Sequence, residues 1–195
     1  MSEIVTFAES LIPLIRELRH TTENDRRIAE PIVQAIRKSD LCRMLLDTGV
    51  PLRYAPGEWL KVLETLAGAE ASVSWLVWNN TLACFWARFL DDAARARLFG
   101  DSGRLFAGST RPTGQAVITD GGFRLSGRWS LVSGCEFADY VHLISLVHED
   151  GAPPMLAPGE PDLRVLFVPK GRYAILDTWH GGGLRGSGSH DVVVD

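Results

Sequence analysis

The stretch Ala116-Val-Ile-Thr-Asp-Gly-Gly-Phe-Arg-Leu125 separates two kinds of chain. Ala116 to Thr119 and Phe123 to Leu125 are β-prone runs, and Asp120-Gly121-Gly122 between them supplies the positive φ angles of a tight hairpin turn. Strand character continues downstream, with β-rich runs at Tyr140 to Val147, Val165 to Val168 and Asp191 to Val194 and a Pro- and Gly-rich loop from Gly151 to Pro161. Upstream of Gly100 the apolar period is 3.6 instead. Ile4, Phe7, Ala8, Leu11, Ile15 and Leu18 mark a first helix that Pro13 should kink or divide, and Pro31 suits the first turn of a second helix ended by Ser39 and Asp40. Breakers fill Thr48 to Gly57, after which Leu60, Leu63, Leu66 and Ala67 restart the period. Val73, Leu76, Val77, Asn80, Ala83, Cys84 and Ala87 share one face of the next helix. Trp75, Trp78, Phe85 and Trp86 make its other faces bulky, so it should be a core helix buried nearly all round. Helices first and strands second is the segregated order of an α+β protein. The reading is an N-terminal all-α domain over residues 1–103 followed by an antiparallel β-domain over residues 104–195.

Composition narrows the classes of function. Of 195 residues, 46% are hydrophobic and 23% charged, which is ordinary for a globular chain and excludes disorder and collagen-like repetition. The formal net charge is −4 and no basic stripe is present, so nucleic acid is not an expected partner. Cys42, Cys84 and Cys135 are too few and too scattered for a secretory disulfide framework or a zinc site, which fits a reducing cytoplasm. No basic leader opens the chain, and Asn79, Asn80, Thr81 and Arg88 interrupt its longest apolar stretch, so neither a signal peptide nor a membrane span is expected.

Local motifs exclude several chemistries. The run from Gly181 to Ser189 has neither the Lys-Ser/Thr of a Walker loop nor the strand-to-helix setting of a dinucleotide turn, and it reads as a structural loop between strands. Ser189, His190 and Asp191 are sequence neighbours; on a strand they would point to opposite faces, which forbids a triad among them. His20, His142, His148 and His180 have no histidine at i+3 or i+4, so no metal site is expected, and each reads as a surface or loop histidine. Trp59, Trp75, Trp78, Trp86, Trp129 and Trp179 supply core bulk or, at the junction of helices and strands, walls for a flat ring. Trp78 and Asn80 are the candidate substrate-binding residues on the helical side.

Two segments carry a resemblance: Phe106-Ala-Gly-Ser-Thr-Arg-Pro-Thr-Gly114, leading to Gly127-Arg-Trp-Ser-Leu-Val-Ser-Gly-Cys135, and Asp177-Thr-Trp-His-Gly-Gly-Gly-Leu-Arg-Gly-Ser-Gly-Ser-His-Asp191. Together they resemble the acyl-CoA dehydrogenase fold family, most closely the oxygenase components of two-component flavin-dependent monooxygenases of the hydroxyphenylacetate hydroxylase type. The resemblance implies an N-terminal helical domain, a middle β-domain and a C-terminal helical bundle that drives homo-oligomer formation. This chain would hold the first two and be truncated at the end of the β-domain. It further implies that Gly108, Ser109, Thr110 and Gly114 line the flavin on one strand and Trp129, Leu131, Val132 and Ser133 on the next. Arg185, Gly186 and Ser189 match a turn that supports the β-domain. FMN or FAD, reduced by a separate flavin reductase, would be the cofactor, and a hydrophobic or aromatic small molecule the substrate of an oxygenation by O2. No catalytic residue is assigned, since such groups can lie in the bundle. Arg111, where dehydrogenases often place an acid, counts against an acyl-CoA dehydrogenase, which together with a non-catalytic scaffold is the competing reading.

Overall fold

A computed structural model describes residues 2–46, 52–149 and 154–195. The helical part comprises α1 (Glu3–Ser10), α2 (Ile12–Asp25), α3 (Glu30–Arg37), α4 (Pro56–Ala67), α5 (Ala71–Phe85) and α6 (Asp92–Phe99). Pro13 does divide the first helical run: it stands in the first turn of α2, where its missing amide donor has no intrahelical use. Pro31 begins α3 in the same way. The breaker loop at Thr48 to Gly57 lies partly outside the described residues, as does the start of the Gly151 to Pro161 loop. No apolar stripe announces α6, because its alanines and arginines bury only Leu98 and Phe99. The Asp91 carboxylate caps it by accepting from the Ala94 amide at 2.7 Å.

The strands are β1 (Phe106–Thr119), β2 (Gly122–Trp129), β3 (Tyr140–His148), β4 (Met155–Ala157), β5 (Glu160–Pro161), β6 (Leu163–Pro169), β7 (Ala174–Leu176) and β8 (Asp191–Val194). Six of them form one sheet in the order β6-β3-β1-β2-β8-β7, while β4 and β5 pair separately. The hairpin forms where the sequence placed it, with Thr119 opposite Gly122 and Gly121 at φ 84° in the turn. The sheet is mostly antiparallel, but β1 and β3 run parallel. Residues 130–139 carry the chain from the end of β2 back past the start of β1, so β3 sets out in the direction of β1 on its other side.

Helices and sheet share their packing. Ile15, Ile32, Leu66, Val73 and Val77 form the helical core, joined by Leu105 and Phe137 from the sheet side. Trp129, Val141, Leu143 and Val192 form the sheet core. Asn80 on α5 is fully buried, and its Oδ1 accepts from the Phe106 amide at 2.6 Å, which fixes the start of β1 against the helix. Arg37 adds a second tie, donating to the Asp139 carboxylate at 2.8 Å and to the Phe137 carbonyl at 2.6 Å. As expected, α5 is buried on most of its surface, although its last residue, Phe85, is exposed.

Candidate functional site

A cavity of about 280 Å³ opens where α5 meets β1, the loop after β2 and the loop before β8. That volume lies near the lower end of ligand pockets, roughly 300–1,000 Å³. Spaced three residues apart on α5, Trp75 and Trp78 point the same way and stack with ring centroids 4.7 Å apart, giving the cavity a flat aromatic wall. Trp179 and Leu184 line the cavity from the long loop before β8. Here the glycine-rich run folds back on itself: Trp179 Nε1 donates to the Leu184 carbonyl at 3.0 Å, and the Thr178 and Trp179 amides donate to His190 Nδ1 at 3.2 and 3.3 Å. Arg26 clamps the loop from α2 through the Trp179 carbonyl at 2.8 Å and the Asp177 carboxylate at 2.6 Å. That guanidinium holds the Asp177 carboxyl at about 2, below the usual carboxylate range.

Three elements meet in a hydroxyl relay. Trp75 Nε1 donates to Ser133 Oγ at 2.9 Å, Ser133 Oγ lies 2.7 Å from Ser189 Oγ, and Ser189 Oγ lies 2.7 Å from Ser187 Oγ. The relay joins α5, the β2–β3 connection and the approach to β8 at the cavity wall. On the strand side, β1 pairs with β3 up to Ser109 and again from Gly114, and with β2 only from Gln115. Thr110 to Thr113 therefore pass the cavity with no ladder partner among the described residues. Ser109 and Thr113 pin this segment from its ends, donating to the Ser130 carbonyl at 3.0 Å and the Arg128 carbonyl at 2.7 Å.

Two wall residues are strained. Leu131 has φ 59° and Leu184 φ 51°, left-handed conformations uncommon for a leucine, and besides Arg26 they are the only non-glycine residues with positive φ among those described. Backbone held in such regions gathers at ligand sites, where the surrounding structure fixes it.

The structure brings Gly108, Ser109, Thr110, Leu131, Ser133 and Trp78 together at the cavity. It places Gly114, Trp129, Val132 and Asn80 elsewhere. Trp129 is fully buried with Nε1 donating to the Ile144 carbonyl at 2.8 Å, its ring occupying the space a Gly114 side chain would need. Val132 faces the sheet core, and both ends of the Asn80 amide are engaged by backbone, with Nδ2 donating to the Leu76 carbonyl at 2.9 Å. Ser189 and His190 precede β8 and do not stand on it, so loop bonding and not strand alternation keeps the Ser-His-Asp run from acting as a unit. Asp191 is instead paired with Arg128 at 2.7 Å.

His142 corrects the expectation of a surface or loop histidine. It lies on β3 opposite Gly108, only 5% exposed, with its ring in the cavity lining. Burial lowers its pKa to about 4 against the opposing pull of the Ala107 backbone, so the imidazole is neutral, and its Nδ1 is shielded from solvent and makes no well-formed hydrogen bond. The only sequence trace of this burial was the β-rich run around it. Trp75, Asn79, Leu82 and Arg111 also line the cavity. No carboxylate, lysine or cysteine is among the described lining residues, so the walls suit binding and orientation, not a proton-transferring pair of acids. The three cysteines are free and buried, which pushes the Cys84 and Cys135 thiols up to about 12. Among the described residues no group of three His, Cys, Asp or Glu could hold a metal ion, and no helix is long and apolar enough to cross a membrane.

No protein-family model matches the sequence. The flavin-dependent monooxygenase oxygenase subunit HsaA of Mycobacterium tuberculosis (strain ATCC 25618 / H37Rv) is 29% identical over 198 residues, covering 98% of this chain and 47% of the relative. An FADH2-dependent resorcinol hydroxylase oxygenase component of Rhizobium sp. (strain MTP-10005) is 31% identical over 188 residues, covering 93% of this chain and 44% of the relative. The crystal structure of the M. tuberculosis HsaA monooxygenase superposes with TM-score 0.87 at 27% identity, covering 98% of this chain and 51% of that one. XiaF from Streptomyces sp., in complex with FADH2 and glycerol, superposes with TM-score 0.86 at 29% identity, covering 98% of this chain and 48% of that one. The chain thus spans about half the length of the relatives it matches. In sequence over almost its whole length it is a homologue of the oxygenase components of two-component flavin-dependent monooxygenases, and it has the acyl-CoA dehydrogenase-like α+β fold of the HsaA structures.

Proposed function

We propose that this chain carries the flavin and substrate face of an oxygenase component that inserts one atom of O2 into an aromatic small molecule, using FMN or FAD reduced by a separate flavin reductase. The observation behind the reading is the cavity itself: a flat tryptophan wall, a strand segment whose backbone has no ladder partner, and two leucines held in left-handed conformation at its rim. These features fit an isoalloxazine ring, which has broad apolar faces and one polar edge. Gly108, Ser109, Thr110, Leu131 and Ser133 would hold it, with Trp78 on the substrate side; Gly114, Trp129 and Val132 would act from behind that layer by fixing β1 and β2. Bound reduced flavin supplies the two electrons that let O2 convert an aryl C–H to C–OH, the second oxygen atom leaving as water after uptake of two protons. Trp75, Trp78 and Trp179 keep water off the reacting ring, which protects a reactive site from unproductive side reactions. The Trp75–Ser133–Ser189 relay holds the Ser133 hydroxyl at one position on the wall.

The whole protein is in this reading a homo-oligomer of the cytoplasm, with a division between residues 103 and 104 of this chain. Exposed Phe89 and Leu156 and the three free thiols support that picture. The test supplies reductase-generated FMNH2 or FADH2, 18O-labelled O2 and a phenol to the protein. One 18O atom in a hydroxylated product is expected. Oxidation without label, or bleaching of oxidised flavin by an acyl-CoA, would move the assignment to a dehydrogenase.

A further inference from the structure

We infer that His190 is a proton-sensitive latch on the loop before β8: neutral, it holds the Thr178 and Trp179 amides and keeps Trp179 at the cavity; protonated, it releases both and bonds Asp177 instead. The use of such a latch rests on the proposed function, which places flavin and substrate in that cavity, but none of its working parts involves flavin.

The Thr178 and Trp179 amides both donate to His190 Nδ1, at 3.2 and 3.3 Å. An imidazole nitrogen accepts only when it carries no proton, so the single proton of the neutral ring sits on Nε2. A second proton has only Nδ1 to go to, and there it removes the acceptor of both amides at once. A new partner stands ready for it, since Asp177 Oδ1 lies 3.5 Å from Nδ1. Asp177 stays ionised as the pH falls, because Arg26 holds its carboxyl at about 2. It is also the carboxylate through which Arg26 clamps the loop, so a protonated His190 competes for it and loosens that clamp. The released amides lose little, for Thr178 is exposed and Trp179 only half-buried, and water can take the place of the ring nitrogen.

The other charged groups around the ring come close to balance. From the connection between β2 and β3, Glu136 Oε2 lies 4.0 Å from Nε2, and Arg27, from the turn between α2 and α3, lies 3.8 Å from the other oxygen of that carboxylate. From the end of α2 come Arg26, bound to Asp177 and the Trp179 carbonyl, and Asp25. His180 in the loop itself lies 3.6 Å from Asp177. Cys135 keeps its proton, burial pushing its thiol up to about 12. Both carboxylates beside the imidazole thus already face a guanidinium, and the two amides decide which form of the ring the closed loop accepts. A cleft of about 330 Å³ lined by His190, Asp177 and Glu136 gives protons a route to the ring, whose side chain is 9% exposed.

The test is hydrogen exchange at single amides of the flavin-free full chain, followed by NMR between about pH 8 and about pH 5, the range in which histidines ordinarily change charge. Rates are expressed as protection relative to unstructured amides, with the fully buried Leu66 as the core reference. Toward acid, the Thr178 and Trp179 amides are expected to lose protection about tenfold relative to Leu66, the scale of a lost hydrogen bond, and the Trp179 indole N–H should follow them. In His190→Asn, whose side-chain oxygen can stand near the place of Nδ1 and takes up no proton, the loss should vanish. In Asp177→Asn, which removes the charge that receives the new donor, it should move to lower pH. Protection that does not change with pH in the native protein overturns the inference, as does a loss that persists in His190→Asn or an indole that stays protected while the two amides exchange. If His190→Asn does not fold, the imidazole 15N shifts of the native protein decide: near pH 8 Nδ1 should be the unprotonated nitrogen, and a proton found there overturns the latch. A native protein that switches as described yet binds no flavin would count against the proposed function alone, and a flavin-binding protein whose loop ignores pH against the latch alone.

Discussion

Two aromatic rings in the sheet each rest on a glycine, and only one of them is complete. Trp129 covers Gly114, is fully buried, and has its single donor satisfied by the Ile144 carbonyl. His142 covers Gly108, is buried almost as deeply, and has a nitrogen with no partner. In both places a strand gives up a Cβ so that a ring from a neighbouring strand can lie flat on its backbone. What differs is what lies beyond the ring: sheet core for Trp129, open cavity for His142. The Trp129 ring is enclosed by the sheet core with its donor met, whereas the His142 ring borders the cavity, and mutations should separate the two.

The largest effect is expected at the complete site. Trp129→Ala should cost about 3–5 kcal/mol in chemical denaturation, because it empties the sheet core and strands the Ile144 carbonyl. His142→Phe should change stability far less at neutral pH; equal losses at the two positions would erase the distinction.

The second effect is a pH dependence confined to the incomplete site. The folded-state pKa of His142 is about 4, below the unfolded value of about 6.5, so between those values the unfolded chain binds more protons. Stability should be full above about pH 6.5, fall as the pH drops through that window, and level off below pH 4, a loss on the order of 3 kcal/mol from this group. Urea titrations of the native protein and His142→Phe at pH 7 and pH 4.5 isolate it by difference. A native protein and variant that lose stability in parallel would show that His142 is not held neutral.

A smaller effect is expected where the cavity wall is tied together. Ser133→Ala removes the acceptor of Trp75 Nε1 and a partner of Ser189, and should cost about 1–2 kcal/mol with a shift in tryptophan emission. Smallest of all, Leu131→Gly should raise stability by up to about 1 kcal/mol, since glycine adopts φ 59° without the penalty a leucine meets. The same change should weaken ligand binding. A loss of stability there would mean that the half-exposed side chain contributes more by packing than its backbone costs.

The legible part of this protein was its local chemistry. Asp120-Gly121 marked a hairpin that no tertiary contact needed to explain, Pro13 and Pro31 marked helix starts, and the bulky faces of α5 marked a central helix. At the site, the Gly-Ser-Thr segment and the loop through Leu131 and Ser133 stood out, and so did the tryptophan excess. Gly114, Trp129 and Val132 share those motifs yet lie behind the wall, because the Trp129 ring packs on Gly114 and Val132 enters the sheet core, contacts with distant segments that the motif does not encode. His142 was invisible for a related reason: a histidine in a β-rich run is buried or exposed according to what packs on the strand.

The order of helices and strands, the hairpin, the helix boundaries at proline and the likeness to flavin-dependent oxygenases were determined by sequence alone, since each depends on residues close together in the chain. The parallel pairing of β1 with β3, the hydroxyl relay from α5 to the loop before β8, the strained leucines and the burial of the His142 ring over Gly108 were decided only by the tertiary structure. They depend on which distant segments meet, and 58 residues of chain separate the two ends of the Trp75–Ser133 bond. No local pattern encodes a contact across such a separation; the burial of shared apolar surface between helices and sheet makes it.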